Sequence, residues 1–199
     1  MILKTATEIH EFWFSKEFEI NQMSNSSIWF TASKELDIEI KSLFESSIRA
    51  AGTGELNSWL ETPNTCLSLV ILLDQFPRNA FRGSGESFRY DPIALKSSKY
   101  GIKMGHDKAL SPVERWFFYL PFMHAENTDD QNLSLKLFSQ LRDEAPSELK
   151  SNFESIYEFA LKHFNSVQMF GRFPARNNAL GRKSTQQELE FLQENPSGF

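Results

Sequence analysis

The stretch that most limits how this chain can fold runs from Cys66 to Gly85: Cys-Leu-Ser-Leu-Val-Ile-Leu-Leu-Asp-Gln-Phe-Pro-Arg-Asn-Ala-Phe-Arg-Gly-Ser-Gly. Cys66 to Leu73 is apolar except at Ser68. A helix that is apolar on every side has no face to offer water and belongs inside a bundle. The run therefore predicts a central helix that delivers Asp74 and Arg78 to the end of a buried layer. Pro77 has no amide hydrogen and disfavours helical geometry at Phe76, so the helix is expected to stop near Gln75 or Phe76. Asp74 would then stand in the last turn, where the helix dipole disfavours a carboxylate, and would need a cation. Arg78 and Arg82 are the candidates. Either these groups pin the turn to its neighbours, or one arginine is kept for an anionic ligand.

The other segments also read as helices. Thr5 and Glu8 fit a capping box, and Ile9, Phe12 and Trp13 follow at helical spacing to about Phe14. Lys16 to Ser27 is polar and irregular, then Ile28-Trp29-Phe30 supplies an aromatic anchor. Those aromatics suit a core, with a cofactor shelf as the sharper alternative. Leu36, Ile40, Leu43, Phe44 and Ile48 trace one helix face, closed by Gly52 and Gly54. Thr62-Pro63, Asp91-Pro92 and Ser111-Pro112 each set a capping residue before proline. Pro121 is expected to kink or end its helix. Thr128 with Gln131 suggests a further capping box. Pro146 opens a long helix with Leu149, Phe153, Ile156, Ala160 and Phe164 in register, broken at Gly171 and Pro174. Ser184 or Thr185 caps a last helix with Glu188. No stretch sustains a period-two pattern. The expected fold is all-α, a multi-helix bundle of antiparallel hairpins forming a single domain over residues 1–199.

Composition sets further limits. With 40% hydrophobic residues and 19 phenylalanines in 199 residues, the core can be sizeable. A formal charge of −5 argues against a general nucleic-acid binder, which needs a basic face. The single cysteine, Cys66, allows no internal disulfide and suits a reducing cytoplasm. No leader peptide is expected from Met-Ile-Leu-Lys-Thr, and no apolar run approaches the ~20 residues that cross a bilayer.

Three polar constellations stand out. Gln75-Phe76-Pro77-Arg78-Asn79 and Arg172-Phe173-Pro174-Ala175-Arg176-Asn177 resemble each other, each setting an arginine and an asparagine after Phe-Pro. If the two exits meet, Arg78, Arg172, Arg176 and Asn177 converge, with Asn79 and Arg82 beside them. Guanidinium forks bind carboxylate or phosphate in bidentate fashion. The alternative is that each arginine satisfies loose carbonyls and an acid such as Asp74 or Glu126. The third constellation, Pro121-Phe122-Met123-His124-Ala125-Glu126, puts a histidine two residues from a carboxylate. His124 would act as general acid or base with Glu126 or Asp74, or serve as a structural hydrogen-bonder. His10, His106 and His163 have no such setting. No phosphate-binding loop, paired cysteines, zinc motif or Gly-x-Ser-x-Gly is present, so neither a metal nor a cofactor is expected.

These residues carry a resemblance. Phe12-Trp13-Phe14, Trp29-Phe30, Leu72 to Asn79, Leu120-Pro121-Phe122 with His124 and Glu126, Phe170 to Pro174 with Arg176-Asn177, and Leu180-Gly181-Arg182 are similar, in that order, to the bacterial family known as domain of unknown function 924. The resemblance implies an all-α fold like tetratricopeptide hairpins, though without that repeat's residue signature. It implies no activity. The family usually reads Phe-Pro-His-Arg-Asn in the second turn, where this chain has Ala175.

Two functions follow as expectations. The first is a small anionic ligand, carboxylate or phosphate, held by Arg78, Arg172, Arg176, Asp74, His124 and Glu126, with hydrolysis as its furthest extension. The second is a helical scaffold that binds a peptide or partner protein.

Overall fold

The computed structural model describes residues 3–14, 29, 33–196 and 198. Among them are eight α-helices and no strand: α1 Ala6–Trp13, α2 Lys34–Thr53, α3 Pro63–Ala80, α4 Asp91–Met104, α5 Pro112–Met123, α6 Thr128–Glu144, α7 Lys150–Phe170 and α8 Gln186–Glu194. Short 3-10 turns at Asn57–Glu61, Gly85–Phe88, His106–Ala109, Ser147–Leu149 and Pro174–Arg176 lie between them. The chain divides into two compact units. One comprises Met1–Arg82 with Glu86–Pro121, and the other Gly83–Gly85 with Phe122–Phe199. No helix among the described residues is long and apolar enough to cross a membrane.

In the first unit α3 packs against α1, α2 and α4. Every residue from Cys66 to Pro77 is buried, as an all-round apolar run requires. Trp13, Phe44 and Phe76 meet edge-on or tilted, with ring centroids 4.6–5.5 Å apart. Trp29 donates its indole N–H to the Trp13 carbonyl at 3.0 Å. The Phe12-Trp13-Phe14 cluster and Trp29 are thus core, while Phe30 falls outside the described residues. Burial pushes the Cys66 thiol up to about 12, so it packs as a small apolar group and not as a nucleophile.

One helix end differs from expectation. Proline was to end α3 near Gln75 or Phe76, yet the helix runs through Pro77 to Ala80. Pro121, expected to kink or end its helix, does not end it, because α5 continues to Met123. An interior proline costs about 3 kcal/mol or more. Each wholly buried large side chain returns roughly 1.5–3 kcal/mol. Phe76 and Ala80 beside Pro77, and Phe122 and Met123 beyond Pro121, are all buried, so packing outweighs the lost hydrogen bond. Asp74 therefore stands in the helix interior and not in its last turn.

The caps mostly follow the sequence. Thr5 with Glu8 and Thr185 with Glu188 form complete capping boxes, and Ser111 exchanges hydrogen bonds with Glu114. The box expected at Thr128 and Gln131 is displaced by one residue. Asn127 is the N-cap, its side-chain oxygen accepting from the Asp130 amide at 2.9 Å. Gln131 turns inward instead. In the second unit α6 and α7 pack as a hairpin around Leu137, Phe138, Leu141, Phe153, Ile156, Ala160 and Val167. The buried stripe of α7 passes through His163, where Phe164 was expected.

Gly101, inside α4, sits where a Cβ would overlap the Phe118 ring and lie 3.2 Å from Cys66 Sγ. Overpacking of this kind costs roughly 1–3 kcal/mol. Alanine gains only about 1 kcal/mol over glycine in a helix. Gly101→Ala is therefore expected to lower the urea midpoint of unfolding. A midpoint at or above the wild-type value would show that α4 does not approach so closely.

Candidate functional site

In the first unit the polar end of α3 is fully paired. Asp74 is wholly buried and accepts from the Gln75 side-chain amide. Arg78 points its fork at Asp91, with N–O distances of 2.9 and 3.0 Å, and reaches Asp74 Oδ1 at 3.5 Å. It also donates to the Asp74 carbonyl and rests 5.7 Å from the Phe88 ring centre. Burial works against the guanidinium charge, but Asp74 and Asp91 outweigh it and raise its pKa. One turn on, Asn79 and the Arg82 fork converge on Asp37 at 3.0, 2.6 and 2.8 Å. Arg82 holds the Asp37 carboxyl below its ordinary value, against a smaller opposing effect of burial. Asp91 was expected as a helix cap; its carboxylate instead completes the Arg78 site. These bonds match the pinning reading of the turn.

The second unit gathers the other candidates around the loop after α7. Gly171 takes a left-handed conformation, φ 69°, and Phe173 is extended before the Pro174–Arg176 turn. The two Phe-Pro segments therefore differ in backbone: the first is helical, the second is a true exit. A network of charged hydrogen bonds knits this exit. Arg172 grips Glu188 with its fork at 2.7 and 2.9 Å and donates to the Lys183 carbonyl. The Asn177 amide donates to Glu188 at 3.3 Å and to Ser184 at 3.1 Å. Arg182 donates to Asn177 at 2.9 Å and to Glu126 at 2.6 and 2.9 Å. Glu126 also accepts from the Phe173 amide at 2.9 Å. Burial raises the Glu126 pKa, but Arg182 and that amide prevail and set it below the ordinary value. Glu188 is only 1% exposed and is drawn down to about 2, chiefly by Arg172.

Phe173 is the centre of this neighbourhood. The Arg176 guanidinium lies over its ring, 4.5 Å from the centroid. His163 meets the same ring edge-on at 5.4 Å, and the His124 ring is 6.1 Å from that of His163. His163 Nδ1 lies 2.8 Å from the Phe159 carbonyl. A carbonyl only accepts, so Nδ1 carries the proton. His124, Glu126, Arg172, Arg176 and Asn177 are thus brought together in one unit, while Asp74, Arg78, Asn79 and Arg82 belong to the other. Among the described residues no group of three or more His, Cys, Asp or Glu is placed to hold a metal ion.

The family described as "Bacterial protein of unknown function (DUF924)" matches residues 9–196. The chain belongs to this family. A solved structure described as "Structure of Protein of Unknown Function ATU0120 from Agrobacterium tumefaciens" is 35% identical, covers 95% of this chain and 97% of its own, and superposes with a TM-score of 0.80. No curated protein matches the chain. The family is uncharacterised, so the likeness fixes the all-helical fold and carries no activity.

Three participants were missed in the sequence. Glu188 was read only as a capping residue, and Arg182 only as part of the family pattern. His163 was set aside, although it falls at the apolar spacing of α7, seven residues after Ile156 and four before Val167. A histidine in a buried stripe is the signal that would have found it.

Glu188 also sets a pH dependence. Its carboxyl is held at about 2 against an ordinary 4.5, so its contribution is complete above that ordinary value. The contribution is lost as pH falls toward 2. Glu188→Gln is expected to be less stable than wild type at pH 7, with a flatter stability curve between pH 5 and 2. Urea denaturation across that range measures this, and parallel curves would refute the pairing.

Proposed function

We propose that the second unit binds a small carboxylate- or phosphate-bearing ligand through Arg176, His124 and His163, with Phe173 as the plate on which Arg176 and His163 are mounted. The observation that carries this reading is the arrangement around Phe173, with Arg176 on its face and His163 at its edge. A guanidinium over a ring face keeps its N–H donors in its own plane, at its rim, where a carboxylate or phosphate can meet them. Arg172 and Arg182 act as braces, since their forks are taken by Glu188 and Glu126. Arg78, Asn79 and Arg82 brace the first unit in the same way. Should the ligand be hydrolysed, His124 is the general base. Glu126 braces Arg182 and the Phe173 amide. A cytoplasmic setting accords with an inert, buried Cys66 thiol.

The scaffold reading draws support from one feature. Phe159 and Met169 on α7 are 46% and 58% exposed, an apolar surface that a peptide would cover.

A thermal-shift screen with phosphate, sulfate and small carboxylates tests the first reading. At tenfold excess over the dissociation constant, binding adds about 1.4 kcal/mol and raises Tm by roughly 3–5 °C. Arg176→Gln and His124→Ala are expected to abolish the rise, and Arg172→Gln to lower Tm without a ligand. A wild-type protein that responds to none of these anions, or unchanged responses in the first two variants, removes the proposal.

A further inference from the structure

Among the described residues of the first unit, the large apolar side chains left exposed are Leu3, Ile38, Leu43, Tyr100 and Met104. All but Leu3 lie on two helices, α2 and α4. Ile38 is 70% exposed and Met104 55%. Single apolar residues on a surface need no explanation, but these fall into ordered stripes.

On α4 the exposed stripe reads Lys96, Lys99, Tyr100, Lys103 and Met104. On α2 it reads Glu35, Ile38, Glu39, Ser42 and Leu43. Both follow the spacing i, i+3, i+4, i+7, i+8, which lays the side chains along one side of a helix for about two turns. The opposite sides are already taken. Ile40, Phe44 and Ile48 of α2 are buried, as are Ala94, Ser98 and Gly101 of α4, and both helices pack on α3. Each stripe therefore lies on the side of its helix turned away from the core.

The two stripes carry opposite charge. The α4 stripe has three lysines and no acid, and among the described residues neither Lys96 nor Lys103 has an ion-pair partner. The α2 stripe has Glu39, likewise without one among the described residues, and Glu35, which accepts from the Ser33 hydroxyl at 2.8 Å. The lysines of α2 stand off its stripe. Lys41 lies 5.7 Å from the Phe81 ring centre, and Lys34 is the first residue of the helix.

A complement for each stripe thus exists on the same chain. Both stripes are exposed in a single copy, so they do not meet within it. Other partners fit less well. A polyanion such as nucleic acid would meet a chain of formal charge −5. An anionic bilayer is held by clusters of about four to eight basic residues, more than this stripe has.

We propose that the protein self-associates, with the α4 stripe of one protomer laid on the α2 stripe of its partner. Lys96 and Lys103 answer Glu35 and Glu39, while Tyr100 and Met104 are covered by Ile38 and Leu43. The contact joins two different surfaces, so it builds a ring or a chain of copies unless a two-fold axis repeats it. Two helical turns a side make a small interface, and the association is weak and sensitive to salt. The proposal concerns the first unit alone and stands or falls independently of the anion site.

Sedimentation velocity of the full chain from about 1 to 200 µM tests it, the range in which a small interface is read. The wild-type sedimentation coefficient is expected to rise with concentration, and raising NaCl from about 50 to 500 mM to weaken the association at least threefold. The charge-reversed variants Lys96→Glu with Lys103→Glu, and Glu35→Lys with Glu39→Lys, should each stay monomeric. An equimolar mixture of the two should associate again, because reversed stripe then meets reversed stripe and native meets native. Met104→Ser is expected to weaken association at least threefold while leaving Tm unchanged, and it reads the contact even if a charge-reversed variant does not fold. A wild-type chain that stays monomeric throughout overturns the proposal. So does association that the folded variants leave unchanged, or a mixture of folded variants that remains monomeric.

Discussion

A helix buried on all sides tolerates a carboxylate only if every charge it brings is answered. That constraint governs the first unit. Asp74 lies wholly inside α3, and its neighbours are arranged to meet it: the Gln75 amide beside it, Arg78 one turn on, and Asp91 drawn in as the second acid on the same guanidinium. Desolvating such ions costs several kcal/mol each, so the cluster is tolerated only with all its members present. Arg82 and Asn79 repeat the arrangement on Asp37. The second unit uses the same device on its loop. There Arg172, Glu188, Asn177, Arg182 and Glu126 alternate donor and acceptor along one run of hydrogen bonds.

The arginines look alike in sequence and differ in what they reach. Arg78, Arg82, Arg172 and Arg182 each place a fork on a carboxylate of the same unit. Arg176 lies over the Phe173 ring, and its charge helps to hold the Glu126 carboxyl below its ordinary value. The motif Arg-Asn after Phe-Pro does not foretell these partners, because they lie far away in the chain.

The helices and their caps were legible because each signal is local. Thr5, Ser111 and Thr185 each have a glutamate three residues on, and the buried run of α3 is contiguous. The proline stop at Pro77 was misread because local cost was weighed without the burial of Phe76. The second candidate site was half legible. His124, Glu126, Arg172, Arg176 and Asn177 carry recognisable chemistry, and they do come together. His163 and Glu188 were hidden, since a buried histidine resembles core and a capping glutamate resembles an ordinary helix start.

Glu188 carries one more implication. Its carboxylate completes the capping box of α8 through the Thr185 amide, and the same two oxygens hold Arg172 and Asn177. Nucleating the last helix and closing the loop from Gly171 to Thr185 therefore draw on a single anion. Fraying of α8, ordinarily the independent loosening of a terminal helix, becomes coupled to release of the Phe173 ring from its setting. The end of the chain thereby acts as a latch, and any ligand seated on that ring would be felt as slower exchange of amide protons in a helix it never touches.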